Sequence, residues 1–284
     1  MHTILFIEVI CMASVLDNKR VAFVTGATSG LGLAISRSLL DIGYIVYGAG
    51  RRQQPPDLPQ DFIYVPTDVA LDESVNKSRD FVLSQESHID LLVCAAGFGI
   101  SGSIEDTSID LAKAQFDVNF FGTARVVCAF LPSMRQHGRG RIIIVGSIAG
   151  KIGMPFQAYY SASKFALEGF VESLRYEVRR FNIEACIVEP GDFKTGFTGS
   201  RQKIMTPESP YYDQFERVIG VQEHDEINGL DPAKAGKKIA GLAVSKHLPT
   251  RLTIGPFFER FAVWIRRLIP DAWFEVFYRM YYRL

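Results

Sequence analysis

The chain has 284 residues, and its 31 Lys and Arg balance its 31 Asp and Glu. That length suits one large α/β domain without demanding two, and the zero formal charge removes any bulk electrostatic pull toward nucleic acid. Four cysteines (Cys11, Cys94, Cys128, Cys186) and five scattered histidines show neither metal-ligand spacing nor a disulfide framework, so no metal is expected and a reducing cytoplasm is the expected compartment.

Residues 1–18 read as an N-terminal extension. Their first eleven are apolar but lack Lys and Arg and are interrupted by Glu8, which argues against a signal peptide or a membrane span. Met12 as the true start and an ordered arm both stay open.

From residue 19 the pattern changes. The apolar run Val21-Ala22-Phe23-Val24 reads as a strand, and Thr25-Gly26-Ala27-Thr28-Ser29-Gly30-Leu31-Gly32 follows it. A helical pattern then runs through Ile35, Leu39 and Leu40 until Gly43. Strand, glycine-rich turn and helix together form the context of a dinucleotide phosphate site. The glycines let the backbone approach the pyrophosphate, and the helix start offers amides and a positive dipole end. Gly26, Thr28, Ser29, Gly30, Leu31 and Gly32 are the expected cofactor residues. The next strand-like run, 44–48, leads into Gly50-Arg51-Arg52. An acid at its end would hold a ribose 2′-hydroxyl and select NAD. Gly50 stands there instead, and a guanidinium at Arg51 suits a 2′-phosphate, so the expected cofactor is NADP(H).

Further strand-like runs at 62–66, 91–95, 141–146 and 183–189 alternate with helical stretches, and the last two are continuously apolar, as buried parallel strands are. The expected fold is α/β: a doubly wound, Rossmann-like parallel sheet in a single domain with a C-terminal helical extension. Thr25, Arg51, Asp68, Cys94, Ser147 and Pro190 all fall at or just after strand ends, where such sheets bind ligands. A helix then carries Tyr160 and Lys164, four residues apart on one face. A free phenol titrates near pH ~10, and a nearby cation would favour phenolate, giving a proton donor and acceptor suited to carbonyl chemistry. Alone, that spacing is mostly a surface pair; its companions give it weight.

Taken together, these motifs resemble the short-chain dehydrogenase/reductase family over roughly residues 20 to 195, its hydroxysteroid and retinol dehydrogenase-like members most. The resemblance implies that Asn119, Ser147, Tyr160 and Lys164 are catalytic. It implies that Asp68 and Val69 meet the adenine, that Ala95 lies along the cofactor, and that Pro190, Gly191 and Thr195 hold the nicotinamide amide. Ser147 would bond the substrate carbonyl, Tyr160 would protonate it, Lys164 would depress the Tyr160 pKa and hold the ribose, and Asn119 would anchor a relay water. One departure is Cys94-Ala95-Ala96-Gly97, where the family usually has Asn-Asn-Ala-Gly. The substitution is expected to be tolerated, with Cys94 a small buried thiol rather than a redox switch.

The catalytic domain is expected to span 19–255, with a substrate lid at about 195–228. Phe98, Met154, Phe156 and Gln157, together with Ser147, are the expected substrate contacts. So apolar a wall fits a steroid, retinoid or long-chain ketone better than a sugar. The segment 256–284 interleaves aromatics with five arginines, and Pro270 interrupts it. It is expected to border the site or pack on a subunit neighbour and not to span a membrane; peripheral membrane contact stays open. The expected partners are a hydrophobic carbonyl or alcohol substrate and a second copy in a homo-oligomer, with no nucleic acid. A non-catalytic NADP-binding sensor is the competing reading, and the complete proton-relay set speaks against it.

Overall fold

The computed structural model describes residues 19–52 and 58–284; the expectations for residues 1–18 lie outside them. In chain order the elements are β1 (Val21–Thr25), α1 (Gly30–Asp41), β2 (Ile45–Gly50), β3 (Phe62–Pro66), α2 (Asp72–Gln85), β4 (Leu91–Cys94), β5 (Ile100–Ser101) and α3 (Ile109–Phe116). A single π turn, Asp117–Phe121, joins α3 to α4 (Gly122–His137). Then come β6 (Gly140–Val145), α5 (Ala158–Val178), β7 (Ile183–Pro190), α6 (Phe197–Ser200), β8 (Gln202–Lys203), α7 (Tyr212–Ile227), α8 (Pro232–Val244), β9 (Arg251–Ile254), α9 (Phe257–Ile265) and α10 (Asp271–Tyr282).

Seven strands form one parallel sheet in the order β3-β2-β1-β4-β6-β7-β9. The chain runs outward from β1 in both directions, so the crevice of a doubly wound sheet opens between the carboxyl ends of β1 and β4. Six strands coincide with the apolar runs read from the sequence. The seventh, β9, has no apolar run to announce it and is recruited by β7. Helices α2, α4 and α5 cover one face over Val75, Phe130 and Leu167. Helices α1 and α8 cover the other over Ile35, Leu39 and Ile239. A Cβ built on Gly236 would lie 2.3 Å from the Ala34 carbonyl oxygen, so only glycine lets α8 come this close to α1.

Register lines up the strand ends that carry the motifs. Thr25 pairs with Ala49 on one side and Cys94 on the other, so Gly26, Gly50 and Ala95 lie along one edge. At the other end of the crevice Glu189 pairs with Thr253 and Pro190 with Ile254. The pair β5 and β8 forms a separate two-stranded sheet that fastens the segment after Thr195 to the loop after β4.

Candidate active site

The glycine-rich turn is built for close approach. Gly26 and Gly30 have φ of 67° and 53°, and a Cβ on Gly26 would lie 2.9 Å from the Ala95 carbonyl oxygen. Ser29 precedes α1 without capping it, which leaves the first-turn amides free for an anion. Arg52 Nη1 instead donates to Ser29 Oγ at 3.2 Å. Arg51 Nη1 lies 3.9 Å from the Asp68 carboxylate with most of its side chain exposed. Gly50 has a steric reason as well: a Cβ there would come within 2.8 Å of Thr28 Cγ2. Thr195 faces the turn, its Cβ 3.6 Å from where a Cβ on Gly30 would stand. This donor set, with two guanidinium groups beside a glycine cradle, fits a phosphorylated dinucleotide.

The loop after β4 is held from below. Thr25 Oγ1 accepts from Ala95 N at 3.0 Å and from Ala96 N at 3.1 Å. Cys94 is fully buried, and burial pushes its thiol up to about 12, which keeps it unreactive. Asn119 sits in the π turn with no exposed surface. Its Oδ1 accepts from Phe98 N at 3.0 Å, and its Nδ2 donates to Phe98 O and Ser163 Oγ, both at 3.1 Å. Its amide thus clamps Phe98 from behind the cavity wall. Asp68 and Val69 lie close by, Asp68 beside the lining residue Arg51. Asp68 Oδ1 accepts from Ala70 N at 3.0 Å, and Val69 packs against Gly122.

Ser147, Tyr160 and Lys164 come together from two neighbouring elements. Ser147 ends the loop after β6, its Oγ accepting from Ala149 N at 3.1 Å. Tyr160 and Lys164 project from the first two turns of α5 into the same cavity. Lys164 Nζ donates to Val145 O at 3.1 Å and lies 5.7 Å from the Tyr160 ring centroid. The sequence reading gives Lys164 the task of lowering the Tyr160 pKa. Burial dominates and pushes the phenol up to about 12, against the Ser147 hydroxyl, which lowers it. The same burial pulls Lys164 down to about 8. Both shifts reflect the desolvation cost of holding a charge inside the protein.

A single cavity of about 570 Å³ joins these parts. It runs from the glycine-rich turn, Arg51 and Arg52, past Ala95, Ser147, Tyr160 and Lys164, to Pro190, Gly191 and Thr195. Phe98, Met154 and Gln157 line it. Phe156 does not: with φ of 59° it turns the chain there, and its ring meets Phe215 edge-on at 5.6 Å. Thr28, Asp68, Val69 and Asn119 likewise stand outside the lining. Gln157 spends its amide on Gln222 of α7 at 2.5 Å, tying α7 to the start of α5.

Phe197 lies in the segment expected as a lid, whereas Glu226 and Asp192, which also line the cavity, carry no signal of their own in the sequence. Phe197 stands 5.8 Å from the Tyr160 ring. Glu226 on α7 accepts from Thr198 Oγ1 at 2.6 Å and pairs with the buried Arg201. Asp192 follows Gly191, and its N–H donates to Glu259 of α9 at 2.9 Å. Burial first, then the Glu259 charge, hold the Asp192 carboxyl far above the usual carboxylate range, and burial raises Glu259 as well. A lone charge on a lid or tail helix reads as a solvated face, and only the tertiary contact makes it part of a site.

Comparison with known proteins agrees with this geometry. The family model described as short chain dehydrogenase matches residues 20–205. A 3-ketodihydrosphingosine reductase of Bacteroides thetaiotaomicron is 35% identical over 267 residues, covering 93% of this chain and 98% of that protein. Retinol dehydrogenase 8 of Bos taurus is 35% identical over 215 residues, covering 69% and 67%. The crystal structure of a short-chain dehydrogenase from Streptomyces avermitilis superposes with a TM-score of 0.77 at 31% identity, covering 91% of this chain and 97% of that one.

Proposed function

This chain belongs to the short-chain dehydrogenase family, and we propose that it is an NADP(H)-dependent oxidoreductase that interconverts a ketone or aldehyde and an alcohol on a hydrophobic, lipid-like substrate. The observation that carries the reading is the single cavity in which the glycine-rich turn and both arginines meet Ser147, Tyr160 and Lys164. The residues to hold the cofactor are Gly26 to Gly32 around the pyrophosphate, Arg51 and Arg52 at a 2′-phosphate, and Pro190, Gly191 and Thr195 at the nicotinamide end. Asp68, Val69 and Ala95 flank the adenosine half. Bound there, the nicotinamide supplies the hydride.

The chain's own residues do the rest. Ser147 Oγ, oriented by the Ala149 amide, donates a hydrogen bond to the substrate carbonyl oxygen. Tyr160, protonated at neutral pH because burial raises it, donates its proton to that oxygen. Lys164 remains largely a cation at pH 7 and offsets the phenolate charge that this donation creates. Asn119 acts at one remove by fixing the Phe98 backbone. Phe98, Met154, Ile148 and Phe197 form an apolar wall beside the reacting groups, which supports a lipid-like substrate. The names of two relatives, 3-ketodihydrosphingosine reductase and retinol dehydrogenase 8, point the same way.

Cytoplasmic residence and self-association belong to the same reading. Self-association draws support from a shallow groove lined by Ile109, Ala112, Phe116, Phe121 and Tyr159, with Ile109 and Phe121 exposed. The test is NADPH and NADH oxidation with ketones of rising chain length. Turnover that prefers NADPH and rises with apolar length supports the proposal. Preference for NADH, or for polar ketoses, overturns the corresponding half of it.

A further inference from the structure

Ten of the 21 exposed large apolar side chains among the described residues lie in the last 28 residues. They are not scattered. On α9 and just past it they fall at Phe257, Phe261, Trp264 and Leu268, one helical stripe. On α10 they fall at Trp273, Phe277 and Met280, a second stripe. Phe258 meets Phe277 at 6.0 Å, so the stripes join side by side. The opposite faces are spent on the body: Val263 and Phe274 pack with Ile152 and Ile148 beside the cavity. Tyr278 Oη donates to Met154 Sδ at 3.1 Å, and Tyr281 Oη to Asp225 at 2.5 Å. Both tryptophans of the chain lie on the outward stripes, 55% and 71% exposed.

We propose that this outward face docks onto an anionic lipid surface and sets the substrate cavity at the membrane–water interface. The charge pattern selects this occupant. Residues 256–284 carry Arg260, Arg266, Arg267, Arg279 and Arg283 against three acids, and one of those, Glu259, is turned inward onto Asp192. A second copy laid on this face would set like charges together, whereas anionic headgroups neutralise them. Trp and Phe beside Arg suit headgroup depth, and no helix among the described residues is long and apolar enough to cross a bilayer. The docking rests on the lipid-like substrate reading only for its purpose. The surface itself stands on exposure and charge.

The test uses the full chain without substrate or cofactor, so a failure of docking is read separately from a failure of the redox assignment. Phosphatidylcholine vesicles containing phosphatidylglycerol should shift the tryptophan emission to shorter wavelength and shield it from iodide. Phosphatidylcholine alone should do so far less. Trp264→Ser with Trp273→Ser should abolish co-sedimentation while retaining the parent far-UV circular dichroism spectrum and thermal transition. Arg267→Gln, Arg279→Gln and Arg283→Gln together should weaken partitioning about a hundredfold, given roughly 1 kcal/mol per arginine near the surface. Unchanged emission with the anionic vesicles, or undiminished co-sedimentation of the folded double Trp variant, overturns the proposal. So does lipid-independent shielding that grows with protein concentration, which would assign the face to a second copy.

Discussion

The body up to Gly255 and the helices from Pro256 onward bury their apolar surface differently. In the body the strands β1, β4 and β7 are almost wholly enclosed, and buried charges are enclosed with their partners. Glu189, with no exposed surface, accepts from Thr253 Oγ1 at 2.6 Å and lies 3.3 Å from Lys151 Nζ. Glu168 lies 2.6 Å from the same ammonium and 2.7 Å from Arg251 Nε. In the helical hairpin only Val263, Phe274 and Tyr282 are buried, Tyr278 and Tyr281 reach inward to Met154 and Asp225, and its other aromatics are exposed. A sheet with helices on both faces satisfies itself. Two short helices laid on one side of it cover one stripe each and leave the other for something else.

The largest expected effect lies in the body. Tyr160→Phe should lower turnover by roughly 10²- to 10⁴-fold, the range of a lost general acid, while NADPH titration changes little. A Tyr160→Phe protein that still turns over at the parent rate would remove the phenol from the chemistry.

Next, the two regions should respond differently to loss of packing. Lys151→Met leaves Glu168 and Glu189 short of a partner in a dry interior and should cost the main thermal transition about 3–5 kcal/mol. Phe274→Ala should leave that transition nearly in place and instead open residues 256–284 to proteolysis. If both variants lower the same transition equally, the hairpin is not a separate unit.

Cofactor choice should move less. Arg51→Asp should weaken NADPH by about 1–3 kcal/mol and favour NADH, as binding titrations would read. Tighter NADH binding by the unmodified chain would sink the 2′-phosphate assignment.

The smallest effect is at the seam between the regions. Asp192 is raised in the folded chain, so its contribution is fully present below the unfolded carboxylate value and is lost as pH rises through the folded one. Above that value Asp192 and Glu259 both carry charge and repel. Hairpin docking, followed by hydrogen exchange in residues 257–282, should therefore loosen from mildly acidic toward alkaline pH. Glu259→Gln keeps an acceptor for Asp192 N and should flatten that dependence; an unchanged profile would separate the pair from docking.

Much of this was legible in the chain alone. Six strands are predominantly apolar runs set between turn residues and helical stretches, and such runs have few conformations that bury them. The i, i+4 placement of Tyr160 and Lys164, the glycine-rich turn and the arginines after Gly50 are local patterns whose meaning survives without neighbours. The strand β9 was not legible, because Arg-Leu-Thr-Ile becomes a strand only against β7. Phe156 was expected in the cavity from its place beside Met154 and Gln157, yet its left-handed backbone turns the ring onto Phe215.

By itself, the sequence determined the doubly wound sheet, the order of its motifs and the chemical types gathered at the strand ends, because periodicity and turn chemistry are short-range properties. Tertiary structure alone decided the burial that raises Tyr160 and lowers Lys164. It alone joined Asp192 to Glu259 across 67 residues of chain. It also chose which aromatic stripe of each tail helix meets the body. Burial and long-range pairing are set by what the rest of the chain brings alongside, and no local pattern carries that information.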